Sequence, residues 1–131
     1  KINILGEVEK FPSDLKSSLK KTAVLTNENK RIIVNLAINY GSKIEILEAL
    51  KKTRGKLNIK NFEKNLYTKK MPNPDILIRT GGYQRLSNFL LWQLAYAELF
   101  FLKKLWPDFN SNDLLRIVKK YKNIQRNYGK I

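Results

Sequence analysis

The sequence has neither cysteine nor histidine, and its acidic residues are few. Its 131 residues include 11 Asp and Glu against 26 Lys and Arg. Without cysteine the chain cannot form disulfides or zinc–thiolate sites. Without histidine it lacks the commonest general base and a common metal ligand. Any acid–base or metal chemistry must therefore fall to the few carboxylates.

No apolar run reaches the roughly 18 to 20 residues that a membrane-spanning helix needs. The longest, Phe89–Leu102, is interrupted by Gln93 and Glu98. No secretory signal is visible at the N-terminus. The chain begins at Lys1 with KINILGE, which is typical of a strand. We therefore expect that the N-terminal part of the fold is missing.

The net charge of +15 favours a polyanionic partner, such as nucleic acid, a phosphorylated ligand or an anionic membrane. The lysines are spread over nearly every segment, so a solvated basic surface explains them equally well. One alternative function is a basic nucleic-acid-binding module. No nucleic-acid motif is present, however, and the aromatic residues cluster in an apolar segment rather than among the basic ones. We expect no nucleic-acid partner.

Apolar runs alternate with amphipathic segments along the chain. The predicted strands are Ile2–Leu5, Ile32–Ile38 and Asp75–Arg79. Gly41-Ser42 is predicted to end the second strand. The predicted helices begin at Pro12-Ser13-Asp14, after that break, near Ile59, near Ser87 and at Asn110 or Ser111. The apolar stripe of the second helix consists of Ile44, Ile46, Leu47 and Leu50. The branched residues of Ile32–Ile38 predict a strand buried on both faces. This order indicates an α/β fold, a layered domain with a mainly parallel sheet flanked by helices, in which residues 1–131 form a single domain.

The predicted helix Ser87–Leu102 is apolar on almost every face. Such a helix must be buried, either inside the domain or against another subunit. We expect it to form a homodimer interface. Glu98 lies eleven residues after Ser87, close to three turns and ~16 Å along the axis. Glu98 is therefore expected to pair inside the core or to reach a site on a partner subunit.

The segment IRTGGYQRLSN joins a predicted strand to this predicted helix. Ligands of open α/β sheets bind beyond the carboxyl ends of strands, where Arg79 lies. Gly81 and Gly82 allow a sharp turn, which could bring Arg85 close to Arg79. Ser87 is a good helix N-cap, and the amides behind it could bind an anion. This combination describes a diphosphate cradle, although surface arginines around an ordinary turn would give the same pattern.

Three blocks of the sequence resemble the cis-prenyltransferase family, most closely its undecaprenyl diphosphate synthases. The longest is PDILIRTGGYQRLSNFLLWQLAYAELFF followed by LWPDF, between Pro74 and Phe109. The block NLAINYGSKIEI, Asn35–Ile46, matches an upstream family block. The ending RNYG, Arg126–Gly129, is similar to the family's C-terminus. The blocks keep the family's order across most of the chain.

The resemblance implies that the complete protein is a prenyltransferase. Members condense isopentenyl diphosphate in cis onto an allylic diphosphate such as farnesyl diphosphate, giving a long-chain polyprenyl (undecaprenyl) diphosphate. By position, Arg79, Arg85 and Ser87 would bind isopentenyl diphosphate, Glu98 would contribute to Mg²⁺ binding, and Ile32 would line the product tunnel. The resemblance also implies a homodimer in the cytoplasm, with peripheral contact at the inner face of the membrane, where the lipid product resides.

The sequence also departs from the family pattern. The block with the essential aspartate is absent, so no catalytic residue is assigned and the chain alone is expected to be inactive. Tyr83 stands where the family often has Glu, and Ile124 and Asn127 replace two arginines near the C-terminus. These departures keep a second hypothesis open, a non-catalytic partner subunit of a prenyltransferase.

Overall fold

A computed structural model describes residues 1–126 and divides the chain into two compact units, Lys1–Met71 and the residues from Pro72 onward. Each unit is built around one pair of parallel strands. The mainly parallel α/β fold predicted from the sequence is confirmed. The organisation of residues 1–131 as a single domain stays a prediction.

The first unit contains two strands, three α-helices and a short 3₁₀ helix. Its elements in chain order are β1 (Ile2–Leu5), the 3₁₀ helix Val8–Lys10, α1 (Ser13–Leu25), β2 (Val34–Ala37), α2 (Ser42–Lys52) and α3 (Ile59–Glu63). Strands β1 and β2 pair in parallel, with Ile2 opposite Val34 and Leu5 opposite Ala37. The buried apolar side chains of this unit are Leu5, Ala49, Phe62 and Leu66. Because α1 connects two parallel strands, β1–α1–β2 is a βαβ unit.

The chain segments that follow the carboxyl ends of β1 and β2 pack closely against each other. Gly6 has a φ of 110°, and a Cβ at this position would overlap the carbonyl oxygen of Ile38. Asn39, with a φ of 47°, donates from Nδ2 to the carbonyl of Glu7 at 3.0 Å. The Glu7 amide in turn donates to the carbonyl of Asn39 at 3.3 Å. The two chain segments approach so closely that only glycine fits at position 6.

Strand β2 differs from the prediction for Ile32–Ile38 in length and burial. It covers Val34–Ala37 only, and all four of its residues are exposed. The prediction that this strand is buried on both faces is therefore wrong. Its branched apolar residues indicated a strand correctly, but burial depends on which layers cover the strand. In this unit α1 contacts β1, and the β2 side chains stay accessible.

Helix α2 buries an unexpected face. Its predicted apolar stripe included Ile44 and Leu47, which are exposed, whereas Ser42, Glu45 and Ala49 are buried. Glu45 is only 1% exposed. Its carboxylate accepts hydrogen bonds from the Tyr40 hydroxyl and, at 2.8 Å, from the Tyr67 amide. A buried carboxylate is tolerated because donors replace the water that it loses.

The second unit contains β3 (Ile76–Arg79), β4 (Glu98–Phe101), a 3₁₀ turn at Trp106–Asp108 and α4 (Ser111–Lys122). The two strands are parallel, with Ile76 opposite Glu98 and Arg79 opposite Phe101. Leu94 and Ile117 are its buried apolar side chains among the described residues. As predicted, Asn110 caps α4. Its side chain accepts from the amide of Asp113, whose carboxylate accepts from the Asn110 amide, which is a capping box.

The predicted helix Ser87–Leu102 does not form. Positive φ angles of 50° at Ser87, 62° at Asn88 and 45° at Leu90 exclude a continuous helix at its start. Residues 87–96 form turns, and Glu98–Phe101 forms β4 instead. Pairing with β3 and the strand propensity of ELFF outweigh the helical spacing of the apolar residues. The predicted helix is therefore wrong, whereas a homodimer interface through this segment stays a prediction. Across residues 1–126, no helix is long and apolar enough to cross a membrane.

Candidate functional site

Arg79 is the last residue of β3, and its side chain spans the loop that follows. Its Nη1 donates to the hydroxyl of Ser87 at 3.0 Å and to the carbonyl oxygen of Arg85. The loop thus folds back on the guanidinium from which it departs. The three residues that the sequence singled out as a cradle are brought together in one loop.

The glycine turn at the start of this loop is hydrogen-bonded to the chain segment that follows β4. Gly81 and Gly82 have φ angles of 91° and 80°, as the predicted sharp turn requires. Their amides donate to the carbonyls of Lys104 at 2.7 Å and Leu102 at 2.8 Å. Apart from the glycine itself and its two chain neighbours, no atom of the described residues lies within 4 Å of a Cβ built on either glycine. Backbone hydrogen bonds therefore fix the turn, and the space beside the two glycines is open enough to admit a ligand.

Arg85 is held by an aromatic side chain that the sequence reasoning did not assign. Its guanidinium carbon lies 4.1 Å from the centroid of the Tyr83 ring, a cation–π contact. Tyr83 is the residue that departs from the family's frequent Glu at this position. The signal in the sequence was an aromatic residue two positions before an arginine in a loop. Tyr83 orients the second guanidinium without neutralising its charge.

Ser87 does not cap a helix, because no helix begins there. The predicted anion site on amides at a helix N-terminus is therefore wrong, and the Gly81 and Gly82 amides are engaged elsewhere. What remains is two guanidiniums and a hydroxyl in one exposed loop at the carboxyl end of a strand. Guanidinium groups bind phosphate oxygens through paired, charge-assisted hydrogen bonds. The loop is chemically suited to a phosphate or diphosphate group.

Glu98 lies at the opposite end of the same strand pair. It begins β4 opposite Ile76, whereas Arg79 pairs with Phe101 at the other end. Three residues of strand correspond to ~10 Å. Glu98 thus stands apart from Arg79 along a strand pair and not along the predicted helix, and its role stays a prediction. Its side chain is partly buried, and no ion pair within residues 1–126 includes it.

The acidic residues test whether a magnesium ion fits. No three Asp or Glu side chains among the described residues cluster as ligands for a metal ion. Magnesium usually keeps several waters and takes one or two carboxylates together with substrate phosphates. A single carboxylate outside the ion pairs of the described chain, such as Glu98, meets that requirement. It could contribute one ligand while a substrate diphosphate supplies others.

Ile32, the predicted tunnel residue, lies in the first unit, two residues before β2. Its side chain is 66% exposed and is followed by the exposed Ile33. The structure therefore leaves an apolar side chain accessible at this position, and its role stays a prediction.

Arg126 and Asp75 form an ion pair that the sequence reasoning did not assign. Arg126 Nη1 lies 2.7 Å from Asp75 Oδ1 and also donates to the Tyr121 hydroxyl at 2.6 Å. The hydrogen bond from Arg126 lowers the pKa of Asp75 below its ordinary value. Burial raises the pKa of the Tyr121 hydroxyl. The rest of the predicted RNYG ending, residues 127–129, lies outside the described residues, as does the substitution at Asn127.

Comparison with known proteins places this chain in a family. The Prenyltransf family model, which describes undecaprenyl diphosphate synthase, matches residues 1–129. An undecaprenyl diphosphate synthase of Picrophilus torridus, specific for geranylgeranyl diphosphate, is 40% identical over 98% of this chain and 54% of its own length. The farnesyl-diphosphate-specific enzyme of Haemophilus influenzae is also 40% identical, over 98% of this chain and 58% of its own length.

The fold agrees with these sequence matches. Lavandulyl diphosphate synthase from Lavandula x intermedia, solved with dimethylallyl diphosphate, superposes with a TM-score of 0.93 at 34% identity, covering 99% of this chain and 60% of that one. The chain thus spans a little over half the length of the curated relatives that it matches. With its parallel strands, its glycine turn and its two loop arginines, the chain belongs to the cis-prenyltransferase family of undecaprenyl diphosphate synthases.

Proposed function

We propose that the protein condenses isopentenyl diphosphate with an allylic diphosphate in cis, giving a long-chain polyprenyl diphosphate such as undecaprenyl diphosphate. We propose further that this chain carries the isopentenyl diphosphate half-site. The observation that carries the proposal is the loop of Arg79, Arg85 and Ser87, in which Arg79 Nη1 lies 3.0 Å from Ser87 Oγ. Farnesyl diphosphate is the proposed type of allylic primer. The Haemophilus influenzae relative is specific for farnesyl diphosphate, and the Picrophilus torridus relative is specific for geranylgeranyl diphosphate.

The arginines would act by binding and orientation. Their guanidiniums would hold the diphosphate so that the alkene of isopentenyl diphosphate faces the allylic carbon, and fixed orientation lowers the barrier to a bimolecular step. Mg²⁺, held in part by Glu98, would neutralise charge on the departing diphosphate. Electrostatic stabilisation of this kind commonly contributes more to catalysis than any other single effect.

Arg79→Ala provides the direct test. We expect the KM for isopentenyl diphosphate to rise about tenfold to a hundredfold, because each charge-assisted hydrogen bond contributes about 1.5 to 3 kcal/mol. The measurement is steady-state elongation with the full-length protein, farnesyl diphosphate and Mg²⁺. Arg54→Ala is the matched control, because it removes one positive charge from an exposed site in the other unit. An unchanged KM in Arg79→Ala would exclude this loop as the diphosphate site.

The magnesium role of Glu98 has its own test. In Glu98→Gln the half-saturating Mg²⁺ concentration should rise, while the KM for isopentenyl diphosphate at saturating Mg²⁺ should change less than in Arg79→Ala. An unaltered magnesium requirement would remove Glu98 from the metal site.

Ile32 is proposed to line the tunnel that holds the growing chain. The proposal is supported by the accessibility of this apolar side chain beside Ile33. A larger side chain would shorten the space for product, so Ile32→Trp should shift the product distribution towards shorter polyprenyl chains. An unchanged distribution by chromatography would place the tunnel elsewhere.

We also propose that the protein is a cytoplasmic homodimer that makes peripheral contact with the inner face of the membrane. The support is the family resemblance. Light scattering on the full-length protein should give twice the monomer mass. Fractionation should place a minor, salt-releasable share with membranes; a monomer mass would refute the dimer.

A further inference from the structure

Arg126 contacts both chain segments that lead into β3 and β4. Its Nη1 donates to Asp75 Oδ1 at 2.7 Å, and its Nη2 donates to the carbonyl of Tyr96 at 2.9 Å. Asp75 immediately precedes β3, and Tyr96 lies two residues before β4. The Tyr121 hydroxyl, on α4, accepts a third hydrogen bond from the same guanidinium at 2.6 Å. One side chain thus joins α4 to the starts of both strands.

These contacts continue to Glu98 through the backbone. The Glu98 amide donates to the carbonyl of Asp75 at 2.9 Å, so Asp75 binds Arg126 through its side chain and Glu98 through its main chain. The side chain of Arg126 is only 16% exposed, which limits competition from water. The position of the Glu98 backbone is therefore set from two directions, by Asp75 across the strand pair and by Tyr96 along the chain.

We infer that Arg126 is a positioning residue for Glu98. It fixes the start of β4 so that the Glu98 carboxylate keeps one orientation towards the magnesium ion of the proposed function, on which this inference rests. Groups that orient metal ligands typically change metal affinity or activity 10–100-fold when they are removed. Replacing Arg126 would therefore weaken Mg²⁺ binding. It would leave binding at the arginine loop, at the other end of the strands, unchanged.

A second ion-pair cluster in the same unit separates positioning from general stabilisation. Asp113 pairs with Lys104 at 2.7 Å and with Arg116 at 2.6 Å. Like Arg126, Arg116 pairs with an aspartate, but that aspartate lies in the first turn of α4 rather than at the start of β3. Arg116→Gln is therefore the matched control for Arg126→Gln.

The test combines hydrogen exchange with magnesium titration in the full-length protein. In Arg126→Gln, exchange of the Glu98 amide should accelerate at least tenfold. The Leu102 amide, bonded to the Arg79 carbonyl at 2.8 Å beyond the far end of β4, should keep its protection. The half-saturating Mg²⁺ concentration should rise roughly tenfold, with the KM for isopentenyl diphosphate nearly unchanged. Arg126→Lys, which retains the charge, should recover part of both effects, and Arg116→Gln should show neither.

Two outcomes would overturn the inference, and they can be told apart. If Glu98→Gln raises the magnesium requirement while Arg126→Gln changes neither that requirement nor Glu98 exchange, the positioning role alone fails. If Glu98→Gln leaves the requirement unchanged, the metal assignment fails and the inference fails with it. Should Arg126→Gln not fold, Asp75→Asn removes the same ion pair and must give the same pattern.

Discussion

The two units use glycine at equivalent places for opposite purposes. In each, a parallel strand pair ends in a turn with glycine at positive φ. The turn of the first unit is filled, because Gly6 packs against the carbonyl of Ile38. The turn of the second unit is open, because no other atom of the described residues lies within 4 Å of a Cβ built on Gly81 or Gly82. A glycine at a strand end therefore indicates a ligand site only when the space beside it is vacant.

The charged side chains around the two turns also differ. Around the filled turn, Asn39 and Glu7 bond to each other's backbone, and the ammonium of Lys10 is paired with Glu7 at 2.9 Å. Around the open turn, the Arg79 side chain reaches across the loop and Arg85 lies within it. The first turn contributes to stability, and the second presents charge to solvent.

The largest effect is expected at the filled turn. Gly6→Ala should lower the free energy of unfolding by about 3 to 5 kcal/mol, because the new methyl group overlaps backbone and the φ of 110° disfavours any side chain. Urea denaturation measures this loss. Gly55→Ala is the control. Gly55 also has a positive φ, 75°, but apart from its chain neighbours no described atom lies within 4 Å of a Cβ built on it. Equal losses in the two variants would contradict the close packing of Gly6.

A smaller effect is expected at the open turn. Gly82→Ala should cost about 1 to 2 kcal/mol, since only the backbone conformation is disfavoured and no described atom is displaced. The same denaturation assay applies. A loss as large as that of Gly6→Ala would mean that the second turn is as tightly packed as the first, and the contrast between the units would disappear.

Helices α1 and α4, one from each unit, differ in their N-terminal capping. Helix α1 begins after Pro12 with no side-chain cap, whereas α4 has the capping box of Asn110 and Asp113. Asn110→Ala should destabilise the protein by about 1 kcal/mol, because amides at the helix start lose their acceptor. The exposed Asn112, changed to Ala, should have a smaller effect. Equal thermal shifts for both variants would argue against the cap.

The smallest effect on stability is expected at acidic pH, from the aspartate ion pairs of the second unit. The hydrogen bond from Lys104 lowers the pKa of Asp113, as the hydrogen bond from Arg126 lowers that of Asp75. An unfolded aspartate has a pKa of about 3.9, so these pairs stabilise the fold above about pH 4. Their contribution is lost as the pH falls through the lowered folded values.

Asp113→Asn should therefore flatten the fall in stability between about pH 5 and pH 2, measured by urea unfolding at several pH values. Asp14→Asn is the control, because no ion pair within the described residues includes Asp14. An acid dependence of Asp113→Asn as steep as that of the unmodified protein would exclude the ion pair as its source.

The sequence predicted the elements whose signals are local. Strand β1, helix α1, the α4 cap at Asn110 and the arginine loop after β3 were all placed correctly, since each rests on neighbouring residues. Strand β4 was missed because its apolar residues also fit helical spacing, and only pairing with Ile76–Arg79 decides between the two. The Asp75–Arg126 pair joins residues 51 positions apart, a distance at which no local pattern gives a signal.

The register of β3 and β4 fixes a length as well as a fold. Three residue steps along the strands separate the level of Glu98 from that of Arg79, and a strand pair hardly stretches. The strand pair therefore holds the Glu98 carboxylate and the arginine loop ~10 Å apart along the strands. Adding one residue to each of the two strands would lengthen this separation by ~3.3 Å, whereas changes within the loop or before β4 would leave it unaltered.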